Sequence, residues 1–480
     1  MKPEHFPEQP AQLWEHFYRI TRIPRPSGQE AAVRQYVIDL AEHGGHPYRM
    51  DTAGNLVVSV AASAGMAERA TLIIQNHLDM VTVKTAESPH DFSRDPLQLK
   101  VVDGWLLANG TTLGADNGVG CAAALALMTD PAVVHPPLEL LFTVDEETGL
   151  HGALALDPAL LTGSRMLNLD TEDWQELFIG CAGGAGWQLR RDYATHAAAA
   201  SAEFWRLSIG GLAGGHSGIQ IHEQLGNAIK LLALCLEDVP GLQLAGMEAG
   251  VAHNVIPREG SVEFACEAGA GAALESRLPA LREDMLGWLP EADGQVQLAL
   301  TTADRRPVIA LRESRDVLDL VAVFPHGAHA YNAHLPGELV DLSSNLARVR
   351  LANGALFVEA SYRFFNARQA MPLRQAVAAL ARAYALDLHC IDGYPGWEPQ
   401  FDGALLAQAS ALHVELFGVA PAVKAIHAGL ECGIVKSKKP DLDILSFGPT
   451  IRGAHSPVER LQIDTVAPFW QFLTTLLARL

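Results

Sequence analysis

Leu138-Glu139-Leu140-Leu141-Phe142-Thr143-Val144-Asp145-Glu146-Glu147 runs a nearly continuous apolar stretch straight into three adjacent acids. An apolar run of that length reads as a strand buried on both faces, as in parallel sheets. Two other stretches repeat the arrangement. Ile73-Ile74-Gln75-Asn76 leads into His77-Leu78-Asp79, and Arg165-Met166-Leu167-Asn168-Leu169 leads into Asp170. In open α/β sheets, ligands gather beyond the carboxyl ends of the strands. With Asp116 and His455, the residues His77, Glu147 and Asp170 supply the mixed imidazole and carboxylate donors that two neighbouring divalent ions require.

The rest of the chain fits an α/β protein of more than one domain, as 480 residues exceed one ordinary core. Residues 11 to 42 read as helix, broken at the Pro24-Arg25-Pro26-Ser27-Gly28 turn, and strands then alternate with helices to about residue 180. Gly118 to Met128 reads as a buried helix holding Asp116 at its amino end. Gly180-Cys181-Ala182-Gly183-Gly184-Ala185-Gly186 reads as a hinge, and Tyr394-Pro395-Gly396-Trp397-Glu398-Pro399 as a second break. These breaks predict a catalytic domain in two segments, 1-186 and 396-480, built on a mixed sheet flanked by helices, with an inserted α+β lid domain over 187-395. Within the insert, His253-Asn254-Val255-Ile256-Pro257 and Leu342 to Arg348 each precede a strand-like run, a loose sign of doubling.

Composition narrows the function. The excess of 55 Asp+Glu over 35 Lys+Arg, a formal charge of -20, argues against nucleic acid or an anionic membrane as partner. The amino terminus has no basic segment followed by an apolar stretch, and no 18-residue uncharged apolar run occurs, so a soluble, cytoplasmic protein is expected. The 6 cysteines are scattered without a CxxC pair, which suits reduced core thiols.

Taken singly, each acid or histidine has an ordinary reading as turn former, cap or core residue. The case for chemistry rests on the set. His77-x-Asp79 lets the carboxylate orient a ligating imidazole. Asp145-Glu146-Glu147 crowds three carboxylates that repel one another unless cations or solvent compensate, with a solvated acidic turn as the alternative. Ser456-Pro457-Val458-Glu459 matches a capping box with Pro at the first helical position, which places His455 just before a helix. His-Glu-x-x-His, the phosphate loop, the dinucleotide fingerprint and the Gly-x-Ser-x-Gly elbow are all absent from the sequence.

On these strings, together with Gly114-Ala115-Asp116-Asn117-Gly118, Ala425-Ile426-His427-Ala428-Gly429-Leu430-Glu431-Cys432-Gly433 and His455-Ser456-Pro457, the chain resembles the di-zinc aminoacylase and carboxypeptidase superfamily of metallopeptidases. Within it, the whole chain is most similar to the cytosolic non-specific, or aminoacyl-histidine, dipeptidases. The resemblance implies two Zn2+ ions, with Co2+ or Mn2+ as other divalent candidates. Asp116 would bridge them, His77 and Asp170 completing one site, Glu147 and His455 the other. It also implies Glu146 as general base, Asp79 as support for His77, and a cis peptide at Asp116-Asn117. In Gly214-Gly215-His216-Ser217-Gly218, His216 would donate to the oxyanion. Asn254 and Arg363 would recognise the substrate carboxylate, and Glu431 the substrate amine. Smaller-lid relatives carry the recognition Arg soon after Asn-x-Ile-Pro, where this chain has Glu263-Phe264-Ala265.

The activity so implied is hydrolysis of dipeptides with a free amino terminus, of broad specificity including Xaa-His, by a zinc-bridged hydroxide with a Glu base. An N-acyl amino acid amidohydrolase on the same metal site is the alternative, and a non-catalytic binding protein on the same fold is a third reading. The expected partner is a small peptide, and a homodimer through the lid is a candidate assembly.

Overall fold

The computed structural model describes residues 2–335 and 339–480. They divide into two compact units. The first holds Met1–Cys181, Trp397–Ala425 and Leu430–Leu480, and the second holds Ala182–Gly396 with Ile426–Gly429. Among the described residues, no helix is long and apolar enough to cross a membrane.

The first unit is built on an eight-stranded sheet, ordered Tyr48–Met50, Leu56–Val60, Leu138–Thr143, Leu72–His77, Arg165–Asn168, Asp443–Ser446, Glu176–Cys181, Ala422–Ile426. Leu72–His77 runs parallel to both neighbours, and Arg165–Asn168 is parallel to Asp443–Ser446. All six residues of Leu72–His77 and of Leu138–Thr143 are buried, which is why these strands read as apolar runs without alternation. Register fixes where the strands stop. His77 lies beside Thr143, and Gln75 beside Asn168, so three parallel strands stop nearly level. The residues just past them, Asp79, Asp145 to Glu147 and Asp170, therefore emerge at one edge.

The helix Ala115–Thr129 is buried almost all round, as its Ala-rich sequence requires. Small residues let it come close to the sheet: a Cβ on Gly120 would sit 2.2 Å from Asn76 Oδ1 and 2.7 Å from Leu169 O. A four-stranded sheet, ordered Ile451–Arg452, Arg460–Gln462, Trp105–Ala108, Leu99–Val102, carries His455 in the turn between its first two strands. Residues 456–459 continue this turn rather than opening a helix, which begins only at Ile463. The expected capping box is therefore not one, because strand pairing from Arg460 onward wins over the local helix signal.

The second unit is a nine-stranded antiparallel sheet with helices Ala228–Leu236, Ala270–Leu286, Leu311–Val323 and Met371–Ala383. Its doubling is visible in the topology. One half, Glu203–Gly210, Gln243–Ala249, Gly260–Cys266 and Gln297–Thr302, stands in the spatial order fourth, first, third, second. The other half, Gly183–Asp192, Val340–Ala352, Ala355–Phe364 and Asp387–Tyr394, repeats that order in mirror sequence along the sheet. The two halves join through their second strands, Gly246 opposite Ala352 and Ala249 opposite Val349.

The glycine-rich stretch expected as a hinge is mostly strand, since Gly183 already pairs with Phe364. Glycine is needed there because a Cβ on Gly183 would meet Gly396 N at 2.5 Å. All 6 cysteines are free thiols, and five are buried; Cys390 is exposed, unlike the core thiol expected.

Candidate metal centre

Three strand ends, the start of the helix Ala115–Thr129 and the turn carrying His455 bring the five expected ligands together in the first unit. His77 Nε2 lies 2.9 Å from Asp116 Oδ1 and 3.4 Å from Asp170 Oδ1. His455 Nε2 lies 3.2 Å from Asp116 Oδ2 and 3.0 Å from Glu147 Oε2. Each oxygen of Asp116 thus faces a different imidazole. Two potential metal-holding groups share it, His77 with Asp116 and Asp170, and Asp116 with Glu147 and His455.

Charge supports the grouping. Burial alone would raise every carboxyl here, and it lifts Asp170 to about 6, helped by the Asp116 carboxylate and opposed by His77. Asp116 goes the other way: burial is outweighed by His455 and His77, which hold it far below the usual carboxylate range. Contacts with Asp116 and Glu147 push His455 up to about 11. Burial pulls His77 down, yet Asp170, Asp116 and Asp79 together carry it well above an ordinary imidazole. Glu147 Oε1 is buried without a hydrogen-bond partner, as befits an oxygen meant for a cation. Nitrogen and hard oxygen donors in this mixture suit zinc and its neighbours.

Asp79, fully buried, holds this cluster from behind. Its Oδ1 lies 3.3 Å from His77 Nδ1, and the carboxylate accepts from the Glu146 and Glu147 N–H groups at 3.1 Å each and from Ser27 Oγ at 2.8 Å. One side chain therefore orients a ligand and sets the backbone of the acidic run. Glu146, the expected base, lies with His77 and Glu147 in a third such group. Burial, then the Asp170, Glu147 and Glu431 carboxylates, raise it well above an ordinary glutamic acid against the pull of His77.

Asp145, without a role in the sequence reading, acquires one. It adopts a left-handed φ of 52°, which Asp tolerates, and its carboxylate accepts from Thr148 Oγ1 at 2.6 Å and meets His151 Nδ1 at 2.9 Å. It turns the chain so that the next two acids face the cluster.

Two residues escaped the sequence reading. Arg25, buried in the turn taken only for a helix break, donates to the carbonyls of Leu78 at 2.8 Å, Asp79 and Gly114. Glu459, taken for a capping residue, accepts from the N–H groups of Leu113, Gly114, Ala115 and Asp116. A charged residue flanked by Pro, and an acid four places after His455, were the only signals. The peptide between Asp116 and Asn117 is cis.

Glu431, at the start of the helix Glu431–Lys438, is fully buried in the same unit. Its Oε2 accepts from Thr143 Oγ1 at 2.6 Å and Gln75 Nε2 at 2.5 Å, while Oε1 has no partner. Burial lifts it to about 8.

The second unit gathers the other three expected residues. The pair Gly215–His216 bridges Val255–Ile256, and Ser217 N–H donates to Asn254 O at 2.9 Å. His216 Nδ1 accepts from the N–H groups of Gly218 and Ile219 at 3.3 and 3.1 Å, which leaves Nε2 as its other ring nitrogen. That nitrogen lies 3.5 Å from Arg363 Nη2, and Arg363 Nη1 donates to the Tyr394 hydroxyl at 3.0 Å. The loop of Asn254 is stitched to Arg363's strand by Ser361 Oγ donating to His253 O at 2.8 Å. The fold thus closes the sequence gap between Asn254 and Arg363.

Comparison with known proteins identifies the family. The profile of peptidase family M20/M25/M40 matches residues 73–479. The cytosol non-specific dipeptidase of Escherichia coli (strain K12) is 34% identical over 472 residues, 98% of this chain and 97% of that protein. The crystal structure of aminoacylhistidine dipeptidase from Vibrio alginolyticus is 33% identical and superposes with a TM-score of 0.89, covering 98% of this chain and 97% of that one. A tripeptidase from Staphylococcus aureus, 15% identical with a TM-score of 0.57 over 99% and 98% of the chains, shares the fold.

Proposed function

The chain belongs to peptidase family M20/M25/M40 and is a peptide hydrolase, and on that premise we propose that it is a two-metal dipeptidase. Its substrates are dipeptides with a free amino terminus, of broad side-chain preference and including Xaa-His. The observation that carries the metal reading is Asp116, whose two oxygens each face a separate imidazole and acid pair. The substrate class follows the two similar dipeptidases, matched over nearly their full lengths.

His77, Asp116 and Asp170 would hold one divalent ion, and Asp116, Glu147 and His455 the other, with Zn2+ proposed and Co2+ or Mn2+ as alternatives. When bound, such ions polarise a carbonyl and lower the pKa of water from about 15.7 toward about 7. Glu146 takes the proton from the attacking water and later delivers it to the leaving amine; its raised affinity for a proton suits both tasks. Asp79 keeps the His77 ring and the Glu146 backbone in place throughout. His216 offers an N–H donor to the developing oxyanion, because its other nitrogen is committed to backbone donors. Arg363 and Asn254 recognise the substrate carboxylate, the guanidinium through its forked donors. Glu431 Oε1, the oxygen without a partner, takes the substrate ammonium group.

A cytoplasmic site of action is proposed with this function, after the relative named as a cytosol enzyme. A homodimer through the second unit would use an outer strand, Gln297–Thr302 or Asp387–Tyr394, because the inner strands of the two halves pair with each other.

The test compares metal-replete protein, with and without a chelator, on matched free dipeptides, tripeptides and N-acetyl amino acids. Chelator-sensitive cleavage of the dipeptides is expected. Preference for the acetylated substrates would instead make the protein an N-acyl amino acid amidohydrolase.

A further inference from the structure

We propose that Glu459 is the positioning residue that ties Asp116 to His455, setting the shared carboxylate and one imidazole of the metal centre as a single piece; this rests on the two-metal reading above. Glu459 is 2% exposed and sits at the end of the turn that carries His455. Its Oε2 accepts from Leu113 N at 2.7 Å and Gly114 N at 2.9 Å, and its Oε1 from Ala115 N at 2.7 Å and Asp116 N at 3.3 Å. Four consecutive N–H groups converge on one carboxylate.

The reason lies in how the helix Ala115–Thr129 begins. Gly114 has a left-handed φ of 64°, and Asp116 and Asn117 depart from helical angles, so the first N–H groups have no carbonyl of their own to bond. Successive N–H groups turned the same way form a concave anion site. Glu459 fills it from within the chain. The same residue immediately precedes the strand Arg460–Gln462, which pairs with Trp105–Ala108 and anchors one side of the turn bearing His455. Across that turn His455 has a left-handed φ of 62°, and Ser456 Oγ donates to Gly453 O at 2.6 Å. The turn therefore meets the Asp116 loop through one carboxylate, and two ligands far apart in sequence share one anchor.

Glu459→Gln keeps the shape but replaces one acceptor oxygen with an NH2 group, which turns two of the four N–H contacts into donor-against-donor pairs. Residues that support metal ligands typically contribute 10- to 100-fold to metal affinity. The loss should be uneven. The site of Asp116, Glu147 and His455 contains both tied ligands, whereas the site of His77, Asp116 and Asp170 contains only one.

The experiment titrates metal-stripped wild-type and E459Q protein with Zn2+ against a chromophoric chelator. Two binding steps are expected for wild type, and in E459Q one step should weaken about 10- to 100-fold and the other by clearly less. Both steps staying within about twofold of wild type would overturn the proposal, that being far short of the usual effect. Amide hydrogen exchange on metal-free wild type tests the tie without any variant. Leu113 to Asp116 should be protected like the rest of the helix Ala115–Thr129, and exchange at the rate of an open loop would overturn the proposal. A wild-type protein that binds no metal would instead overturn the two-metal reading, leaving the exchange result to judge the tie itself.

Discussion

Replacing Asp79 by Asn tests how much of the centre depends on one buried carboxylate. The side chain faces His77 Nδ1 at 3.3 Å and accepts from two backbone N–H groups and the Ser27 hydroxyl. Asn keeps the volume but has one acceptor instead of two. Its better orientation points the NH2 group at Ser27 Oγ, which can rotate to accept, and leaves Glu147 N–H without an acceptor. A buried donor so orphaned costs about 1–3 kcal/mol, and loss of the charge on the remaining bonds costs about 1 kcal/mol more. The sum, about 2–4 kcal/mol, falls on the folded, metal-competent state. Since about 1.4 kcal/mol is a factor of ten, the sum corresponds to about 30- to 700-fold weaker metal binding, its lower end within the usual 10- to 100-fold for residues that support ligating histidines. Zinc competition titration reads this directly, and kcat/KM at saturating metal should fall by at least tenfold because the backbone of Glu147, next to Glu146, loses its anchor. D79N protein with wild-type metal affinity and an unchanged apo melting temperature would refute the reasoning.

Glu146→Gln should lower kcat by about 10²- to 10⁴-fold, the usual range for a general acid–base group, while two metal ions still bind; a normal rate would remove Glu146 from the mechanism. Arg363→Lys should raise KM for dipeptides roughly tenfold or more with little change in kcat, since the single ammonium cannot reproduce the forked donors. Dipeptide amides, lacking the carboxylate, should barely distinguish the two proteins. Acid stability tests His16, which is buried with its ring nitrogens each 2.8 Å from the Tyr36 and Thr129 hydroxyls. Burial, then Arg19, lower it to about 4, below the ordinary 6.5. The unfolded chain therefore binds one more proton than the folded one between these values. Stability is full above pH 6.5 and lost as pH falls toward 4, by about 1.4 kcal/mol per pH unit for this group. In His16→Gln, denaturant midpoints of metal-free protein should fall less steeply over that window, and an unchanged slope would contradict the assignment.

Some of this protein is written locally. Leu72–His77 and Leu138–Thr143 are buried on both faces, so their apolar runs declare strands whose ends can be located by eye, and the donors past those ends come with them. The type of chemistry is legible for the same reason, because imidazole and carboxylate placed beyond strand ends point to metal whatever the wider packing. Tertiary structure decides the rest. Only the register of the parallel strands brings Asp79, Glu147 and Asp170 to one edge, and only the cross-chain contacts show that Asp116 faces two imidazoles. Arg363 reaches His216 because the sheet of the second unit is doubled, a property of strand order with little trace in residue types. Glu459 is the sharpest case. Its local sequence spells a helix start, yet strand pairing at Arg460 cancels that signal and sends the carboxylate to four N–H groups at the start of a helix some 340 residues earlier in the chain. Capping preferences are worth about 1 kcal/mol and yield to tertiary pairing and burial, which the sequence around a residue does not report.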